Sequence, residues 1–108
     1  MENRNAIKDM TKIRLTEREV KAIKELAIEV FGEGTRVFLF GSRTNPSKKG
    51  GDIDLYIIPA NREKLFDKYI KYLAKLKLTI GDQKIDLILQ EDPNRPIEKE
   101  ALEKGVEL

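Results

Sequence analysis

The chain has no cysteine and no histidine among its 108 residues. The first absence rules out disulfide staples and thiolate metal sites. The second rules out imidazole bases, histidine-containing triads and His-ligated zinc. Any metal must then be held by oxygen, which favours Mg²⁺, Mn²⁺ or Ca²⁺. Tryptophan is also missing, and aromatic residues make up only 6% of the chain. No apolar run is long enough to span a bilayer. The opening "MENRNAIKDMTKIRL" is too charged for a secretory signal, so a cytoplasmic protein without a membrane partner is expected. Net charge is only +2, which disfavours a long nucleic acid as partner.

What remains is a charged, Lys- and Glu-rich sequence of one-domain size. Residues 1–15 show no clear period and read as a partly ordered N-terminal arm; residues 16–108 read as a single domain. Thr16 and Glu19 form a capping-box pattern. Val20, Ile23, Leu26, Ala27, Val30 and Phe31 follow at helical spacing until Gly32. "TRVFLF" (35–40) and "DIDLYII" (52–58) are short β-rich runs bounded by glycine and proline. Asn61 is placed to cap a second helix, whose buried side is expected to carry Phe66, Tyr69, Ile70, Leu73 and Leu76. Lys64, Lys68, Lys71 and Lys75 form a stripe read as its outer face. "KIDLIL" (84–89) is a third strand, and a last helix is expected over roughly 97–104. The order α-β-β-α-β-α implies an α/β (α+β) fold: a small mixed sheet with helices on one face.

Three carboxylates interrupt this pattern. Asp52 and Asp54 open the second strand two residues apart, so they share a face. Asp86 breaks the third strand between Ile85 and Leu87 and reaches the same patch if the two strands are neighbours. Carboxylates gathered on one sheet face are costly without a counter-charge. A pair of divalent cations supplies one, and two such ions also support phosphoryl-type transfer. Each aspartate taken alone is as compatible with a strand-start turn or a charged edge strand. Gly41 and Ser42 sharpen the pattern, because they close the first strand and nine residues then separate them from Asp52. Glycine admits a phosphate close to backbone N–H groups, serine adds a hydroxyl, and Arg43 can fork onto phosphate oxygens. Lys48 and Lys49 read as solvated loop charges, and Tyr56 is placed either to flank a nucleotide or to pack in the strand.

The stretch "FLFGSRTNPSKKGGDIDLYI" resembles the signature of the DNA polymerase β-like nucleotidyltransferase superfamily. In size the chain is similar to its minimal, MntA-like antitoxin members. The likeness runs from about Val37 to Leu89 and includes the ending "PIEKEALEKGVEL". It implies the nucleotidyltransferase fold, ATP as substrate and two Mg²⁺ ions. By this resemblance Gly41, Ser42 and Arg43 bind the nucleotide, while Asp52, Asp54 and Asp86 are the catalytic and metal-binding residues. Thr44, Asn45 and Pro46 stand where relatives often have a small residue, a second Arg and a Gly, and Gly51 where Ser is frequent. The chain leaves little length for an acceptor-binding domain, so either the chain is expected to oligomerise or the acceptor is expected on a partner. The resemblance supplies one: a HEPN-domain toxin that receives AMP on a tyrosine. A contact-only antitoxin, and nucleotidyl transfer to a small-molecule or RNA hydroxyl, are the alternatives.

Overall fold

The computed structural model describes residues 13–44 and 51–108, and Lys48 and Lys49 lie outside them. Three helices and four strands follow in the order α1 (Glu17–Phe31), β1 (Arg36–Phe40), a 3-10 turn (Gly41–Thr44), β2 (Ile53–Ile58), α2 (Leu65–Ile80), β3 (Ile85–Leu89), α3 (Pro96–Lys104) and β4 (Val106–Glu107). The sheet order is β3-β2-β1-β4. β1 pairs antiparallel with β2 and β4, while β2 and β3 run parallel through the α2 crossover. The fold is α+β with a mixed sheet. Among the described residues, no helix is long and apolar enough to cross a membrane.

The capping box forms as the sequence implies. The Thr16 hydroxyl accepts from Glu19 N, and Glu19 Oε1 accepts from Thr16 N (3.1 and 2.9 Å). Val20, Ile23, Ala27, Val30 and Phe31 are buried against the sheet. Packing begins ahead of this helix. Of the expected arm, residues 1–12 lie outside the described residues, but Ile13 and Leu15 are buried in the core.

Four expectations need correction. Asn61 does not cap α2; its Oδ1 accepts from Glu63 N in a local turn, and the helix starts behind Lys64 with no side-chain cap. The buried side of α2 is also rotated from the expected one. Tyr72 and Leu76 are its buried residues, whereas Phe66 and Ile70 are 74% and 51% exposed. Lys75, from the stripe expected on the outer face, lies instead at the seam with α1, where it pairs with Glu29. Tyr72 fixes this seam by donating its hydroxyl to Ile23 O (2.9 Å) while its ring tilts against Phe31. Third, the sheet has a strand that the sequence pattern does not announce. β4 is two residues long, and the bidentate Arg36–Glu107 pair (2.9 and 2.8 Å) holds it to β1.

The fourth correction concerns the helices' placement. α1 and α2 cover the face that carries Val37, Leu39, Ile53, Leu55, Ile57, Ile85 and Leu87. α3 lies on the opposite face, over Phe38, Phe40 and Tyr56, with Ala101 at the contact. Tyr56 is therefore a core residue and does not flank an open site. Its hydroxyl donates to Oε1 of fully buried Glu98 (2.7 Å). The same carboxylate accepts from Glu91 N (3.2 Å) and Asp92 N (3.0 Å), and Arg95 lies 3.5 Å away. Burial opposes ionisation of Glu98, but these donors together hold its carboxyl below the ordinary range. Burial and the Glu98 hydrogen bond push Tyr56 up to about 12.

Tyr56→Phe removes one charge-assisted bond and should cost about 1.5–3 kcal/mol in urea unfolding. Glu98→Leu should cost more, because it strands the Tyr56 hydroxyl and two backbone donors together. Glu98 has a lower pKa folded than unfolded, so its contribution is full above the unfolded pKa and fades as pH falls through the folded one. Equal losses for the two variants would contradict this placement.

Candidate active site

The sheet register builds the site. β1 ends at Phe40, directly across from Asp54, and the parallel β2–β3 pair sets Asp54 beside Asp86. Side chains alternate along strands, so both point to the α3 side of the sheet, beyond the patch that Phe38, Tyr56 and Ala101 fill. α3 therefore covers one part of this face and leaves the carboxylates accessible. Asp86 is exposed, and Asp54 is half-buried.

The turn after β1 runs against Asp54. Gly41 has φ +77°, and a Cβ built there would lie 2.1 Å from Asp54 Oδ2. Only glycine satisfies both demands, the left-handed backbone and the close approach. The Thr44 hydroxyl closes the turn by donating to Gly41 O (2.6 Å). Ser42 lies within this turn, and its backbone follows Gly41 past the carboxylate.

Burial comes first, then the charge of Asp86 and a hydrogen bond shared with it, in pushing Asp54 up to about 6; Asp52 adds to the rise. This pair is what a divalent cation would relieve. All the donor atoms are oxygen, and a cation would neutralise the repulsion that raises Asp54. Asp52 stands just ahead of β2, near enough to add to the rise at Asp54. Its Oδ2 lies 3.5 Å from Lys84 Nζ, on the residue just before β3. Among the described residues, no three acidic side chains converge as a metal-holding group. Asp54 and Asp86 thus fit a cation, and the set needs further oxygen ligands to be complete, as triphosphate oxygens can supply.

Arg43 sits in a clasp. Its guanidinium donates to Arg14 O (2.8 Å), Gly51 O (3.3 Å) and Gln83 Oε1 (3.2 Å). That engages three of its five N–H groups. Sequence reasoning singles out neither Lys84 nor Gln83. Lys84 is legible in principle, since it alternates onto the same side as Asp86. Gln83 lies in the turn after α2 and carries no pattern. An apolar groove of about 400 Å³ lies apart from the carboxylates, along the free edge of β3, between Leu65, Phe66 and Tyr69 on one side and Leu87 and Leu89 on the other.

A family model described as "Polymerase beta, Nucleotidyltransferase" matches residues 21–108. No curated protein matches the chain.

Two outcomes test this geometry. Gly41→Ala should destabilise the fold through both backbone strain and the clash with Asp54. In an Asp54→Ala background its cost should fall toward the strain alone, about 1–2 kcal/mol. Additive losses in that cycle would contradict the contact. The second outcome concerns pH in chelator-treated protein. The folded-state pKa of Asp54, about 6, lies above the unfolded value of about 3.9. The folded protein therefore binds more protons between these values, and stability falls as pH rises through this window. Asp54→Asn removes that loss. Its gain in Tm over wild type should be larger at pH 7 than at pH 4.

Proposed function

The chain belongs to the polymerase beta nucleotidyltransferase family, and we propose that it transfers AMP from ATP to a tyrosine of a small helical HEPN-domain toxin, as that toxin's antitoxin. The carrying observation is the Asp54–Asp86 pair, set in register beneath a turn whose first residue can only be glycine.

In this reading the Gly41–Ser42–Arg43 turn binds the terminal phosphates through its backbone N–H groups, the Ser42 hydroxyl and the remaining Arg43 donors. Asp54 and Asp86, with Asp52, hold two Mg²⁺ ions, which when bound neutralise the phosphate oxygens and the leaving pyrophosphate. The tyrosine oxygen bonds to the α-phosphorus, the bond from that phosphorus to the bridging oxygen breaks, and pyrophosphate departs. Asp86 takes the hydroxyl proton as the oxygen attacks. It stands exposed on the outermost strand of the sheet, which suits an acceptor carried by another molecule. Asp54 contributes as a carboxylate once its neighbour's charge is neutralised.

Asp86→Asn keeps the shape and removes the charge. The variant should bind Mg²⁺–nucleotide within a few-fold of wild type, while the chemical step falls by about 10²–10⁴. The check is to incubate each protein with the four nucleoside triphosphates and a co-expressed partner, and to follow the partner's mass. A partner that gains one nucleotidyl group from wild type and none from Asp86→Asn supports the reading. Equal modification by both proteins sinks the role of Asp86. Protection of cells by Asp86→Asn, with no mass gained even from wild type, points instead to a contact-only antitoxin.

A further inference from the structure

The Gly41–Thr44 turn is short, and a relay of hydrogen bonds through the Arg43, Gln83 and Glu19 side chains and two backbone carbonyls anchors it. Arg43 joins the turn to Gly51, at the entrance of β2, and to Arg14, ahead of α1. Arg14 N returns a bond to Arg43 O (2.8 Å). The guanidinium in turn donates to Gln83 Oε1. Gln83 Nε2 donates to Glu19 Oε2 (2.6 Å) and to Ile80 O (3.2 Å). Glu19 is itself fixed, because its Oε1 closes the capping box with Thr16. The relay thus runs from the first turn of α1 and the last turn of α2 to the turn beside Asp54.

We propose that Gln83 is a positioning residue for nucleotide binding, holding Arg43 and through it the Gly41–Thr44 turn in register with Asp54; this rests on the nucleotidyltransferase reading of the site. The chemistry of the position selects an amide. One neighbour, the Arg43 guanidinium, can only donate, and the other, the Glu19 carboxylate, can only accept. A side chain between them must accept on one atom and donate on the other. Lysine cannot accept, and an ionised glutamate cannot donate. The two neighbours also fix which end of the amide faces which.

The consequence falls on the phosphate side of the site. The turn's backbone N–H groups are useful only where they face the same phosphates that the carboxylates engage. Displacement by about 1 Å is enough to cost on the order of 10²-fold in rate. Gln83 touches neither nucleotide nor acceptor in this account. Its loss acts through Arg43, so it should raise the nucleotide KM more than it lowers kcat.

The donor–acceptor logic gives a direct test. Gln83→Glu alone sets two carboxylates against each other. Adding Glu19→Gln exchanges the roles: the amide now at position 19 donates to the carboxylate now at position 83, and that carboxylate accepts from Arg43. Ile80 O loses its donor in the single and the double variant alike, so it does not separate them. The amide at position 19 keeps its oxygen for the Thr16 N–H. Three proteins are compared well below their melting temperatures: wild type, Gln83→Glu and the exchanged double variant. Calorimetry measures the affinity for Mg²⁺ with a non-hydrolysable ATP analogue, and hydrogen exchange follows the amides of residues 41–44. Gln83→Glu should weaken nucleotide binding and speed exchange in the turn, each by about tenfold, and the double variant should restore both to within about threefold of wild type. A merely structural role would lower Tm and leave these two readouts alone. Wild-type affinity and exchange in Gln83→Glu overturn the proposal, as does a double variant no better than the single. Failure of the wild-type protein to bind any nucleoside triphosphate would remove the nucleotidyltransferase reading, and the exchange measurements would still decide whether Gln83 holds the turn.

Discussion

Two carboxylates side by side across parallel strands repel each other, and much of this fold arranges that encounter. Asp54 and Asp86 meet because β2 and β3 run parallel in register. Parallel strands need a crossover, and α2 is that crossover. The antiparallel partner β1 then ends opposite Asp54, so the chain must turn at the carboxylate itself. Glycine at 41 follows from that contact. Burial first, and then the charge of Asp86, raise Asp54, and a patch of this kind favours cations.

The protein also contains a carboxylate treated in the opposite way. Glu98 is more deeply buried than Asp54, yet it is held below the ordinary range because donors surround it. It receives a phenol and two backbone amides, with Arg95 nearby, and it pins α3 to the loop after β3. Burial penalises both acids, so burial cannot separate a structural acid from a reactive one. Supply of donors does. Glu98 has its partners within the fold, whereas the chief neighbour of Asp54 is another acid. The unmet demand lies at Asp54, and there the site needs something from outside the chain.

Legibility in the sequence follows the length of each signal. The strands are readable because each is an apolar run bounded by glycine, proline or charge, and Asp52, Asp54 and Asp86 stand out by breaking those runs. The face of α2 is not readable. Its apolar residues spread round much of its circumference, so Phe66 and Ile70 compete with Tyr72 for the inward stripe. The decision lies in Tyr72 reaching Ile23 O and Lys75 reaching Glu29, contacts with residues far away in sequence. β4 has two residues and no period to detect; its strand character comes from pairing with Phe38 and Leu39. Gln83 and Glu98 are invisible for a related reason. A buried or bridging polar residue is defined by its partners, and those partners lie 64 and 42 residues away in Glu19 and Tyr56.

The same distinction bears on Arg43. As a sequence feature it is a cation beside a Gly-Ser turn, and phosphate contact is the natural reading. In the fold its charge is already partly answered by two carbonyls and an amide. A guanidinium fixed by such neighbours has lost much of its freedom to follow a ligand, and its order is set by the fold. Lys84 differs: its side chain is 74% exposed, and among the described residues it pairs with Asp52 at 3.5 Å. Arg43 and Lys84 therefore differ in how far the fold holds them. Arg43 is tied to three parts of the chain, whereas Lys84 stands largely in solvent beside Asp52.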